Sequence, residues 1–262
     1  MHILFIGYGK TSQRVAKKLF AEGHTITAVS VSKKNDAVAS HLQQDVHHLD
    51  LSAIKPVDYV YIALSPKYTQ DYQNIYLDSV HPILSALKQH PIKRLIILSS
   101  TRVYNGYVGE EITDHTVPLP NDEQGNVLYK MEQEYQKAYS KNCIIVRPTG
   151  IYGTSIARMQ KMANATTHYT SEHWSNRIHI DDLSDFLAML VTVKHVYNSY
   201  IVTDNTPYPL HEIIWWFQKK LNLPLLNYIP QQKTGKKIKA SRMYKHFKLT
   251  HHDCFKVYDL FF

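Results

Sequence analysis

"FIGYGKTSQRVAKKL", residues Phe5 to Leu19, decides how the rest of the chain is read. A short apolar strand runs into Gly7-Tyr8-Gly9. An amphipathic helix follows at once, with Val15, Ala16 and Leu19 on one face. In a dinucleotide-binding turn the first glycine permits the tight bend and the second lets backbone approach a pyrophosphate. A third allows the helix to pack close to the strand. Ser12 stands in that third place. The helix N-terminus offers free N–H groups and a partial positive charge to an anion. The loop therefore assigns Gly7, Gly9, Lys10, Thr11 and Ser12 to cofactor contact. The competing reading is a plain strand-to-helix turn, and the surrounding pattern weighs against it.

That pattern alternates. Strands are expected at 2–6, 25–31, 46–51, 58–64, 94–100 and 143–148, and helices at 12–23, 35–44, 70–89 and 127–140. Near-continuously apolar strands separated by helices give an α/β fold with a doubly wound parallel sheet covered on both faces. Ligands bind at the carboxyl ends of such strands. Ala63 and Leu64, after the fourth strand, and Pro148, after "CIIVR", are placed there by position. The second strand ends in "SVSKK", with Ser30, Ser32, Lys33 and Lys34 and no acid until Asp36. Hydroxyls and ammonium groups suit a 2′-phosphate, whereas an acid at this point holds the ribose of NAD. NADP is the expected cofactor, with NAD as the alternative.

The second half reads as a helix at 181–194, a strand at 199–204, an apolar helix at 210–222 and a basic segment from Lys233 onward. Residues 1–170, with a sheet contribution from about 178–204, are expected to form the cofactor domain, and residues 205–262 a small C-terminal lobe. The net charge of +8 allows a nucleic-acid partner or an anionic small molecule. No nucleic-acid motif accompanies the lysines, so the basic segment reads first as a solvated helix face, then as an anion-binding surface. Cys143 and Cys254 form no Cys-x-x-Cys, and the 16 histidines show no metal-ligand spacing, so no metal is expected. Trp215 and Trp216 read as lobe core. Neither a secretory leader nor a membrane-spanning run is apparent, and a cytoplasmic setting is the expectation.

Four further segments then line up in order. "SSTRVYNG" (99–106), "VRPTGIYG" (146–153), "RIHIDDL" (177–183) and "GKKIKASRMYKHFKL" (235–249) resemble segments of the extended short-chain dehydrogenases/reductases, the NAD-dependent epimerase/dehydratase group. The resemblance covers nearly the whole chain. It implies a Rossmann-type sheet with a small C-terminal substrate lobe. It also implies hydride transfer on a hydroxyl or carbonyl, often of a nucleotide-linked sugar. Asp50-Leu51 resembles the family pair that faces the adenine, and His179 and Asp181 resemble residues that hold a loop and cap the next helix.

The family's acid/base is a tyrosine with a lysine four residues later and a serine upstream. Ser100 matches the serine. The Tyr-x-x-x-Lys pair is broken. Tyr129 is followed by Gln133, and Lys130 is preceded at the right distance by Asn126. The second register fits the family's spacing from Ser100 better, so Lys130 is assigned to the nicotinamide ribose. Tyr129, Tyr104 or Tyr107 is left for proton transfer. Arg147 reads equally as a substrate-anion ligand or as half of an ion pair. The expected function is an NAD(P)-dependent oxidoreductase or epimerase acting on a small, anionic substrate, with a homodimer allowed. The alternative is an NAD(P)-binding sensor or interaction protein that has lost catalysis.

Overall fold

A computed structural model describes residues 1–262. In chain order the elements are β1 (His2–Ile6), α1 (Lys10–Ala21), β2 (Thr25–Ser30), β3 (Ser40–Gln43), β4 (Tyr59–Ile62), α2 (Val80–Leu87), β5 (Arg94–Leu98), β6 (Glu111–Ile112) and α3 (Glu123–Tyr139). They continue with β7 (Cys143–Pro148), β8 (Gly150–Tyr152), α4 (Ala157–Ala165), β9 (His168–Ser175), β10 (Arg177–His179) and α5 (Ile180–Met189). The last are β11 (Ser199–Val202), β12 (Tyr208–Pro209), α6 (Leu210–Lys220), β13 (Asn227–Gly235), β14 (Lys237–Ile238) and α7 (Cys254–Asp259).

Seven strands form one sheet in the order β11-β7-β5-β4-β1-β2-β3, and every neighbouring pair is parallel. The order reverses at β1 and β4, so the chain turns outward on both sides of the first strand. This is the doubly wound Rossmann-type α/β fold, and its ligand crevice lies at that reversal. The strands are apolar because both faces are covered: β1, β4, β5 and β7 contribute a continuous buried set from Ile3 to Val146. α1 packs against α5, with Arg14 donating to Asp181 at 2.9 Å and Lys18 paired with Asp185. A second, smaller cluster joins Tyr152, Ile156 and Met159 to Ile213, Phe217 and Tyr258, with Trp215 and Trp216 packed against it. Residues 152–163, grouped with the sheet in the sequence reading, thus pack with α6 and α7. No helix is long and apolar enough to cross a membrane.

Several local expectations give way. Residues 35–44 contain no helix; Ser40–Gln43 instead pair with Thr27–Ser30 as β3. The "VHHLDL" strand is absent, and a single helical turn at Val46–His48 replaces it, capped by Asp45 through the His47 N–H at 2.9 Å. The long helix at 70–89 is a π-helical turn, Gln73–Asp78, leading into a shorter α2. The basic segment is not a helix face: Lys237 and Ile238 form β14 beside β6, and the Lys237 ammonium sits 3.9 Å from the Trp174 ring centroid.

Candidate functional site

Gly7 is in the left-handed region at φ +90°, and a Cβ there would come within 2.4 Å of the Ala63 carbonyl oxygen. The bend thus brings β1 and β4 together too closely for any side chain. Ser12 is buried, and its hydroxyl donates to the Gly7 carbonyl at 2.8 Å. A small residue that closes a hydrogen bond onto the loop replaces the third glycine. Gly9 differs from Gly7: its φ is ordinary and a Cβ there would meet nothing within 4 Å. It opens α1, whose cap position carries no side-chain hydrogen bond and whose first turn carries no acid. Free N–H groups and the dipole therefore face open space, as an anion site requires.

Two adjoining cavities flank this loop. The first, about 240 Å³, is lined by Gly7, Tyr8, Ser32, Lys34, Asp45 and Val46, among others. The second, about 360 Å³, takes in Gly9, Lys10, Thr11, Ser12, Tyr76, Ser99 and Pro148. Both share Ala63 and Leu64. Nine of the predicted contacts therefore converge: Gly7, Gly9, Lys10, Thr11, Ser12, Ser32, Ala63, Leu64 and Pro148. Three stand elsewhere. Lys33 is exposed and its neighbour Lys34 lines the first cavity. Asp50 is exposed and accepts the Ser52 N–H at 2.9 Å, while Leu51 is buried in the core. Because β3 ends at Gln43, the residues carried to the strand's carboxyl end are Gln44, Asp45 and Val46. Asp45-Val46 is an Asp-Val pair like the one expected at Asp50-Leu51, and it lines the first cavity because 40–43 is a strand rather than a helix.

A third cavity of about 470 Å³ lies farther along, lined by Ser100, Thr101, Arg102, Arg158, His173 and Lys236, among others. It shares Arg158 and His173 with an inner chamber of about 240 Å³ that reaches Arg177. Arg177 donates to the Tyr258 hydroxyl at 2.8 Å, and its Nη1 is buried with no partner. Burial, and then Arg102, holds Lys236 below the usual lysine range. Burial, and then Lys236, lowers His173 as well, so that imidazole stands neutral near pH 7. Arg102 is engaged by Asp122 at 2.6 Å, whereas the unpartnered Nη1 of Arg177, the exposed Arg158 and Lys236 leave cationic groups turned to the cleft for an anion.

The catalytic candidates divide. Ser100 lines the third cavity and caps a helical turn, its hydroxyl accepting the Arg102 N–H at 3.1 Å. Tyr129 and Lys130 line none of these cavities. α3 buries Val127, Leu128, Met131, Glu132 and Tyr135, which leaves Lys130 exposed on the opposite face and Tyr129 half-buried against the core. Asn126 donates to the Asp122 carbonyl at 2.8 Å. Arg147 is half of a buried ion pair with Glu132, and its Nη1 donates to Tyr104 at 2.6 Å. Tyr107 donates to the Val117 carbonyl at 2.9 Å.

His179 caps α5 by accepting the Asp181 N–H at 3.3 Å. Its ring stacks on His251 with centroids 3.7 Å apart and planes 24° apart, beside Asp181. Imidazole lone pairs lie in the ring plane, so stacked rings direct them side by side rather than at one ion. Nearby, Asp204 is buried, and burial pushes its pKa up to about 6 against hydrogen bonds from Thr206. The unfolded value is about 3.9. Between those values the folded chain binds more protons, so this contribution to stability is present at low pH and is lost as pH rises through about 6. Asp204→Asn should therefore gain stability relative to the wild type on going from about pH 5 to about pH 7. Urea unfolding at both pH values checks this, and a pH-independent difference would contradict it.

A model of the NAD(P)H-binding family matches residues 7–193. Protein YeeZ of Escherichia coli strain K12 is 24% identical over 210 residues, which span 75% of this chain and 76% of YeeZ. A Methylobacillus flagellatus structure, provisionally described as an NAD-dependent epimerase/dehydratase, superposes with a TM-score of 0.83 at 26% identity, covering 99% of this chain and 96% of that one. The UDP-glucuronic acid 4-epimerase of Bacillus cereus, solved with NAD, shares the fold with a TM-score of 0.76 at 16% identity, over 94% of this chain and 90% of that one.

Proposed function

Because the chain belongs to the NAD(P)H-binding family, we propose that it is an oxidoreductase or epimerase that uses NADP and acts on a hydroxyl or carbonyl of an anionic small molecule, with a nucleotide-linked sugar as the leading class. The observation that carries this reading is the run of cavities along the strand ends, from the Gly7–Gly9 loop to Ser100 and Lys236. The residues present fit a dinucleotide. Gly9 leaves room for a pyrophosphate at the uncapped start of α1, Asp45 offers a carboxylate acceptor to an adenine amine, and the buried Ser99 hydroxyl lacks a partner in the second cavity. When bound, the nicotinamide accepts or returns a hydride. Around it Ser100 would hold the substrate oxygen, and Arg158, Lys236 and the unpartnered edge of Arg177 would hold the anion. The cytoplasmic setting remains part of this proposal.

The preference for NADP rests on Lys34, which lines the first cavity and forms no ion pair, alongside Ser30 and Ser32. Lys34→Ala should weaken NADPH about tenfold, or about 1.4 kcal/mol, and leave NADH unchanged. Calorimetric titration of both proteins with NADPH, NADH, NADP and NAD tests it. Equal loss for both reduced cofactors removes Lys34 from the phosphate site, and failure of all four to bind overturns the enzyme reading. The second reading, a cofactor-binding sensor, is favoured by one observation: Tyr129 and Lys130 stand outside the cavities. Tight cofactor binding with no turnover across a panel of nucleotide sugars would select it.

A further inference from the structure

The segment after β2 carries two lysines, Lys33 and Lys34, followed by Asp36; the next acid, Asp45, lines the first cavity with Lys34 and accepts the His47 N–H at 2.9 Å. Asp36 and Lys34 line the same outer cavity of about 370 Å³, with Lys17 across it. Proximity of opposite charges would ordinarily pair them. Instead Asp36 is held elsewhere. Its Oδ2 accepts the Tyr8 hydroxyl at 2.6 Å, and its Oδ1 accepts the Val38 N–H at 3.0 Å. Tyr8 is the middle residue of the glycine loop, only 2% exposed, and it lines the first cavity together with Lys34. Asp36 does not line that cavity. Burial, followed by the hydrogen bond and charge of Asp36, raises the Tyr8 pKa well above the ordinary phenol value. The hydroxyl therefore stays protonated at neutral pH and can donate to Asp36.

We propose that Tyr8 sets cofactor choice by sequestering Asp36: the Tyr8 hydroxyl keeps the carboxylate from neutralising Lys34, and so keeps that ammonium free for the 2′-phosphate of NADP. The inference rests on the NADP reading above and adds a residue to it. Tyr8 acts here as a positioning residue, through Asp36 and then Lys34, and needs no contact with the phosphate itself. An acid two residues after Lys34 would otherwise oppose the phosphate twice, by its own charge and by occupying its partner.

The test compares wild type with Tyr8→Phe, Asp36→Asn and the double variant, each titrated calorimetrically with NADPH and NADH. Phenylalanine keeps the buried ring, and thermal melts confirm folding. Tyr8→Phe should raise the NADPH Kd about five- to tenfold and change the NADH Kd less than about twofold, as expected when the released Asp36 carboxylate pairs with Lys34. The double variant, lacking the carboxylate, should recover NADPH binding to within about twofold of wild type. Asp36→Asn alone should bind NADPH at least as tightly as wild type. An equal loss for both cofactors in Tyr8→Phe, or no recovery in the double variant, overturns the proposal, because Tyr8 would then act by packing. A wild type that prefers NADH overturns the NADP reading and this inference with it. A wild type that prefers NADPH with an unaffected Tyr8→Phe overturns this inference alone.

Discussion

Replacing Glu132 with alanine is expected to cost about 3–5 kcal/mol of folding stability, the range for breaking a buried ion pair by removing one partner. Glu132 is fully buried and Arg147 nearly so. Arg147 Nε donates to the two carboxylate oxygens at 3.0 and 3.2 Å, Nη2 donates at 2.5 Å, and Nη1 reaches Tyr104 at 2.6 Å. Burial works against the guanidinium's charge, while Glu132 and Tyr104 more than offset it, so Arg147 stays ionised. Without Glu132 that charge is left in the core with one phenol for company. The pair fastens α3 to β7, the strand that ends at Pro148 beside the second cavity. Urea unfolding of Glu132→Ala and Glu132→Gln measures the effect. Glutamine keeps part of the hydrogen bonding and should lose less. A cost below about 1 kcal/mol for the alanine variant would show that the pair is replaceable by relaxation of the core.

Gly7→Ala should lose cofactor binding and about 3 kcal/mol of stability together, because a methyl group at φ +90° is strained and also meets the Ala63 backbone at 2.4 Å. The oxygen it meets belongs to the main chain and cannot swing aside. Gly9→Ala is the matched control. Its methyl meets nothing, so the fold should keep its melting temperature. The same methyl would occupy the approach to the pyrophosphate and should still weaken NADPH by about tenfold. Parallel melts and titrations of the two variants separate a glycine needed by the fold from one needed by the ligand. A Gly9→Ala variant that binds NADPH normally would show that the pyrophosphate does not approach there.

Where burial on both faces makes a strand continuously apolar, the sequence is easy to interpret: β1, β2, β4, β5 and β7 all stand close to their expected places. The segment Asn35–Gln44 shows the limit. Its Asn-Asp start imitates a helix cap, but Ser40–Gln43 gains a parallel partner in β2, and pairing across the sheet outweighs a weak local preference. With β3 ending at Gln43, the acid that lines the first cavity is Asp45, and Asp50 lies outside it. β9 and β13 were not anticipated at all, because their side chains are half-exposed and polar and carry no alternation. The broken Tyr-x-x-x-Lys pair was visible, and the burial pattern of α3 explains it further: the helix turns Glu132 inward to Arg147 and Lys130 to solvent. No local pattern announced Lys236 as a cleft residue, since its position depends on the pairing of β14 with the distant β6.

The lobe is also fastened by one carboxylate. Asp114, just after β6, accepts the Ile201 N–H at 2.9 Å, the Ser241 N–H at 2.6 Å, the Ser241 hydroxyl at 3.0 Å and the Arg242 N–H at 2.9 Å. Its partners lie 87, 127 and 128 residues away along the chain. The residues lining the two cavities beside the glycine loop end at Ile151, so during synthesis they emerge before the wall that carries Lys236. Contacts of such separation must meet a loop-closure cost before they contribute to stability. The two ends of the crevice thus differ in how far the chain must return to build them: α5 and β11 back the nucleotide end, while the substrate end needs residues 236–242 to reach Asp114.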